Sequence, residues 1–186
     1  MIAVIIIVVL IVLVALILIG IRNGMIGARN RVDEAWSGID VQLKRRHDLI
    51  PNLVETVKGY ATHEQKTFEA TSQARAEAMK ATGVQETGQA EQKLTAALTD
   101  LRAVAENYPQ LRATENFQRL QSSLSEVEDE IQASRRIYNS NVQSYNTKIQ
   151  VFPNSVIAGM SDFEAREFFE IETAAEREAP EVSCSQ

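Results

Sequence analysis

Ile, Val, Leu and Ala run almost without interruption from Met1 to Ile21, and beyond that point apolar residues recur at intervals of three and four. The first pattern is that of a membrane span. About 20 residues at ~1.5 Å per residue cover roughly 30 Å, the thickness of a bilayer core. Its many β-branched residues do not argue for a strand, because an isolated segment in lipid satisfies its own backbone only as a helix. A secretory signal would carry a basic leading region and a small-residue cleavage site. Only the α-amino group precedes this run, which is also long for such a signal, so residues 1–21 are expected to form a retained anchor.

The second pattern predicts helices that pack on helices. Val32, Trp36, Ile39, Leu43, Ile50, Leu53, Val57 and Tyr60 keep a three-four alternation, and Arg46 takes one step of it. Pro51 falls inside this stripe. It either interrupts one long helix or stands in the first turn of a new helix capped by Asp48. The unchanged apolar phase on both sides favours one helix. The next break is the glycine-bounded stretch from Thr82 to Gly88. A second helix carries Leu94, Leu98, Leu101, Ala105 and Tyr108 and stops at Pro109. A third repeats Phe117, Leu124, Ile131, Tyr138, Tyr145 and Phe152 one heptad apart, with Leu120 and Val127 beside them and Pro153 at its end. Its companion positions turn polar at Ser134, Asn141 and Lys148, so the distal part is expected to pack differently.

The fold class expected is all-α: a single N-terminal transmembrane helix followed by an antiparallel helical bundle with long, coiled-coil-like helices. Residues 1–21 make the anchor, 22–160 the bundle and 161–186 an acidic, Phe-containing segment. Composition agrees with this, since 8 Gly and 4 Pro in 186 residues are few for an all-β chain. The net charge of −6 arises almost wholly between Asp162 and Glu181, where eight acidic residues meet two arginines. Such a balance argues against nucleic acid as a partner, because phosphate recognition needs cationic surface. Phe163, Phe168, Phe169 and Ile171 are interleaved with these acids. A short amphipathic helix that docks on the bundle, on a neighbouring subunit or on a partner is the expectation, because large apolar residues are costly to leave in water. Just before it, Asn154 to Met160 forms a short apolar patch.

Arg22, Arg29 and Arg31 follow the span closely, so the positive-inside bias places the bundle in the cytoplasm. Arg29 and Arg31 are also candidates for contact with anionic headgroups. The lipid bilayer is therefore the first expected partner.

The stretch Ala35-Trp36-Ser37-Gly38-Ile39-Asp40 through Leu49-Ile50-Pro51-Asn52-Leu53-Val54 to Tyr60-Ala61 resembles the signature of the LemA family. Arg136-Ile137-Tyr138-Asn139-Ser140-Asn141 to Tyr145-Asn146, with Phe152-Pro153 and Phe168-Phe169-Glu170, resembles its second characteristic region. The resemblance covers roughly Arg22 to Val182. It implies a bacterial inner-membrane protein with an N-terminal anchor and an antiparallel helical bundle. Because the family includes a magnetosome-membrane protein, it also implies a role in membrane organisation, and it implies no enzymatic activity. The acidic tail, which ends in Ser183-Cys184-Ser185-Gln186, departs from the family's basic-aromatic finish.

The residues themselves offer little chemistry. His47 and His63 fit neither a helical metal-ligand pair nor a zinc-finger spacing. Asp40 and Asp48 stand about two turns apart on one helix, with nothing that asks for a shared catalytic pocket. The single Cys184 excludes a disulfide framework within the chain and lies outside a prenylation box. No catalytic, cofactor-binding or metal-binding residue is expected, and no cofactor. Arg46 is the exception among the charges, because a cation on an apolar stripe needs a partner. A carboxylate or a Tyr/Asn cluster of the third helix is expected to meet it, with Tyr138, Asn139, Tyr145 and Asn146 as the suppliers. Trp36, Arg46, Tyr138, Asn139, Tyr145, Asn146, Phe168 and Phe169 are the expected packing or oligomer-interface residues. Asn52 and Gly59 would mark close approaches of helices.

Three functions follow. The first is a self-assembling, membrane-anchored scaffold, a homo-oligomer that organises or shapes the bacterial membrane. The second is a monomeric adaptor or sensor that offers the bundle, or its acidic tail, to a cytoplasmic protein partner. The third, a hydrolase, would need a polar pocket with perturbed carboxylates, for which the chain has no motif.

Overall fold

A computed structural model describes residues 1–170, and these contain helices and no strand. The helices are α1 (Ile2–Lys58), α2 (Gln65–Ala78), α3 (Val84–Glu106), α4 (Pro109–Arg112), α5 (Glu115–Gln150) and α6 (Asn154–Gly159). The chain is all-α, as its apolar periodicity predicts. Two compact units are distinguished: Met1–Val41 with Glu130–Phe168, and Gln42–Asp129 with Phe169 and Glu170.

Helix α1 runs unbroken through Pro51, which resolves the choice left by the sequence. A proline there donates no bond to the carbonyl four residues earlier. That carbonyl belongs to His47, and the Nε of Arg75 on α2 donates to it at 2.7 Å. A neighbouring helix thus replaces the bond that Pro51 cannot make, and the backbone group stays satisfied.

The end of α1 adds a break that the sequence does not announce, since the first break expected after Pro51 is the stretch from Thr82 to Gly88. The helix stops at Lys58, where the Val57 carbonyl accepts from both Tyr60 N and Ala61 N at 3.0 and 2.9 Å. This turn buries Ala61 completely and leaves Tyr60 exposed. Gly59 is part of the helix ending, not a point of helix–helix approach, since a Cβ there would meet only its own Glu55 and Thr56 carbonyls.

The second connection is also shorter than expected. Gly83, at φ 79°, occupies the left-handed region that favours glycine, and α3 starts at the next residue. Glu86 Oε2 accepts from the Thr82 N–H and hydroxyl, so it closes the first turn.

In the unit built on Gln42–Asp129, α2 and α3 form an antiparallel hairpin, with Lys93 reaching Glu77 at one level and Thr71 reaching the Ala97 carbonyl at the next. Ile50, Leu53, Val57, Phe68, Leu94, Leu98, Leu101, Leu111, Phe117 and Leu124 make one apolar core. They include most of the stripe positions that the sequence predicts for these segments.

In the unit containing Met1–Val41, the Asn141 side chain donates to the Arg31 carbonyl, and Lys148 lies against Gly24. Seven residues forward on α5 match seven backward on α1, so the two helices are antiparallel here. Met25, Ala28, Val32 and Ile39 of α1 and Ile131, Tyr138, Val142, Tyr145 and Ile149 of α5 are buried. The stripe ends with Ile149. Phe152, its next expected member, lies past the end of α5 and is exposed.

Residues 162–170 are not helical, contrary to the amphipathic helix expected from their sequence. Ile171, the remainder of the acidic segment and Cys184 lie outside the described residues.

Candidate functional site

Three features are candidates for function: the apolar start of α1, a buried polar cluster, and a segment strapped onto the helices. At the first, every large apolar residue from Ile2 to Ile19 is exposed, and none of the most apolar 18-residue window of α1 is buried. A core helix of a soluble domain would have that surface covered by its own chain. Of the basic residues behind it, Arg22 is exposed, and Arg29 sits over the Phe163 ring with its guanidinium carbon 5.5 Å from the centroid. The Arg31 carbonyl accepts the Asn141 amide.

The second feature is built around Arg46, which is 4% exposed on the apolar stripe of α1. Its Nη1 donates to Glu91 Oε2 at 2.8 Å, and Glu91, on α3, is 0% exposed. The other oxygen of Glu91 pairs with His47 Nε2 at 2.6 Å. Arg46 Nη2 reaches Thr95 Oγ1 at 2.9 Å and Glu128 of α5 at 3.2 Å. Thr95 in turn donates its hydroxyl to the Glu91 carbonyl at 2.9 Å. A carboxylate of the third long helix does meet Arg46, as expected, but at the rim. The principal partner comes from α3, and Tyr138, Asn139, Tyr145 and Asn146 belong to the other compact unit.

The sequence also carries a signal for Glu91. Stepping back along the stripe of α3 from Leu98 and Leu94 lands on Glu91 and then on Thr87, both buried. Two opposite charges that each interrupt an apolar stripe are natural partners. Both oxygens of Glu91 and both terminal nitrogens of Arg46 are engaged, which is what makes burial of such a pair tolerable. The cluster ties α1 to α3.

The third feature begins where Tyr138 and Tyr145 are buried on α5, with Trp36 of α1 packed on Tyr138 at a centroid distance of 5.4 Å. Burial pushes both phenols above their ordinary pKa. The Tyr138 hydroxyl donates to the Glu167 carbonyl at 2.9 Å. Asn146 grips the backbone of Arg166 twice, donating to its carbonyl at 2.9 Å and accepting its N–H at 2.8 Å. The Arg166 guanidinium completes the attachment with Asp33 at 3.1 Å. Tyr138 and Asn146 therefore hold the strap. Asn139, half-buried, stands next to Tyr138 on α5.

The strap's last residues lie in the other compact unit. Phe169 is 0% exposed, whereas Phe168 is 44% exposed. The Glu170 carbonyl comes so close to Gly88 of α3 that a Cβ there would lie 2.5 Å from it. Gly88 is thus a helical glycine required by backbone approach.

Among the described residues, no three His, Cys, Asp or Glu side chains converge as a metal site would require. His63, Asp40 and Asp48 are exposed on the surface. One groove is lined by Arg102, Glu106, Arg112 and Phe117 and another by Glu55, Lys58, Phe68 and Glu69, and neither contains a histidine or cysteine.

An uncovered apolar helix that continues into packed helices, with a saturated ion pair and a strapped tail, defines an all-α protein with an N-terminal helix suited to a membrane. The chain belongs to the LemA family, whose model matches residues 35–184. It is 27% identical to the protein LemA of Metamycoplasma hominis over 91% of this chain and 77% of that protein. It is also 27% identical to magnetosome protein MamQ 2 of Paramagnetospirillum magneticum, over 75% of this chain and 61% of the relative. The MamQ protein of Magnetospirillum gryphiswaldense is 26% identical over 72% and 58%. The match thus spans about three fifths of the length of the magnetosome relatives. Helix α1 is long and apolar enough to cross a membrane.

Proposed function

We propose that this chain is a single-pass bacterial inner-membrane protein whose helices stand on the cytoplasmic side and self-assemble into a scaffold that organises or shapes the membrane. It works without catalysis. The observation that carries this reading is the uncovered apolar stretch of α1, which is one helix with the residues that pack against α5. Association between copies therefore acts directly on the segment that sits in lipid. The cations Arg22, Arg29 and Arg31 support the cytoplasmic side. Relatives named as magnetosome proteins support a role in membrane organisation. Exposed Val41 and Ile137, outside the anchor, are candidates for contact between copies.

The test is the mass of the full-length protein in mild detergent, by light scattering and electron microscopy. Regular, large particles that fall apart in Val41→Glu or Ile137→Glu variants are expected. The strap supports a second reading as a monomeric adaptor, because it fixes where the acidic tail begins and so presents that tail to a cytoplasmic partner. A monodisperse monomer in the wild-type protein would favour the adaptor and sink the scaffold.

A further inference from the structure

The end of α5 and the short helix α6 carry apolar residues that the fold does not use. Phe152 is 83% exposed, Val156 55% and Met160 84%. They are spaced by four residues, so Val156 and Met160 share one face of α6 and its C-cap, while Ala158 is turned inward and buried. Between Ile149 and Ser161 the chain has no charged residue. A surface patch of this kind is unfavourable in water and needs an occupant.

Register identifies the occupant. Asn141 lies beside Arg31 and Lys148 beside Gly24, so the end of α5 at Gln150 is about level with Arg22, and the turn that carries Phe152 follows directly. That is where the uncovered apolar run of α1 ends. The turn is held at this level, since Asn154 Nδ2 donates to the Lys148 carbonyl at 2.9 Å and Ser155 N to the Val151 carbonyl at 3.0 Å. Cations lie on the side away from the anchor: Lys148 against Gly24, and Arg29 against Phe163. An apolar tip backed by cations, level with the end of a membrane span, is the arrangement of an interfacial membrane contact.

We propose that the α5–α6 turn inserts Phe152, Val156 and Met160 into the interfacial layer of the bilayer beside α1, giving each chain a second, monotopic attachment. This rests on the reading of α1 as a membrane anchor. The contact holds α5 as well as α1 at the membrane surface, so the unit cannot swivel freely about its anchor.

The test uses the full-length Cys184→Ser protein in vesicles of phosphatidylethanolamine and phosphatidylglycerol. A nitroxide is attached in turn at Phe152→Cys, Met160→Cys, Leu10→Cys and Lys80→Cys, all exposed positions at which labelling leaves the core intact. Accessibility to lipid-soluble oxygen is compared with accessibility to a water-soluble nickel complex. The proposal expects the oxygen-to-nickel ratio at 152 and 160 to rise severalfold above that at 80, approaching that at 10. If position 10 is lipid-immersed while 152 and 160 match position 80, the interfacial contact is wrong and the anchor stands. Nickel access at position 10 itself would overturn the anchor and this inference with it. Labels at 152 or 160 shielded from both reagents and broadened by one another would show a second copy of the chain as the occupant, which also overturns it.

Discussion

Among the described residues, Arg46 and Glu91 are those at which charge is most tightly confined. Each stands on the buried stripe of its helix, among mostly apolar neighbours, and each is nearly or fully removed from solvent. Removing one member of such a pair leaves an uncompensated buried charge and costs about 3–5 kcal/mol, whereas replacing both by apolar residues of similar size is often close to neutral. Glu91→Leu alone is therefore expected to lower stability by about that amount, because it strips Arg46 and His47 of their shared carboxylate. The double substitution Arg46→Met, Glu91→Leu is expected to recover most of the loss. Urea unfolding of the full-length protein in mild detergent, followed by circular dichroism, measures both. An equal loss in the single and double variants would mean that the pair contributes packing, not charge balance.

At the scale of the element, α1 shows how a helix survives an internal proline. Periodicity predicts continuity across Pro51, because the apolar phase is the same on both sides. It does not reveal what satisfies the His47 carbonyl, since Arg75 is 28 residues away in sequence and on another helix. A hydrogen bond from a charged group is worth about 1.5–3 kcal/mol, so Arg75→Met is expected to cost that much. In a Pro51→Ala background the restored N–H bonds the same carbonyl, and the cost of Arg75→Met should shrink. A double-mutant cycle reads the coupling directly. Additive effects would show that Arg75 stabilises α1 by some other contact. The same element ends earlier than periodicity implies, because the doubly bonded Val57 carbonyl closes a turn that no proline announces.

For the whole molecule, the strap is the feature that sequence describes least well. Its alternation of acids and phenylalanines reads as a helix with two faces, yet residues 162–170 are held in a non-helical path by partners far off in sequence. Asn146 and Tyr138 satisfy its backbone polar groups, which removes the main reason for that segment to coil. Gly88 offers a test. In an exposed helical position such as Gly38, where nothing lies within 4 Å of an added Cβ, alanine should stabilise by roughly 0.5–1 kcal/mol. Gly88→Ala should instead push against the Glu170 carbonyl and loosen the strap. Hydrogen exchange of the peptide spanning residues 163–170 is expected to accelerate in Gly88→Ala and to stay unchanged in Gly38→Ala. Equal protection in the two variants would mean that the strap end relaxes without being released.

Local repetition by itself determined the helical class, the membrane-compatible start, the apolar stripes and the need of Arg46 for a partner. Each of these follows from the spacing of residues along one helix, a property that the chain carries before it folds. Tertiary structure decided which carboxylate Arg46 receives, what replaces the bond lost at Pro51, why Gly88 has no side chain and where the acidic segment is pinned. Those are contacts between segments tens of residues apart, and only the register of antiparallel helices brings their atoms within a few ångströms.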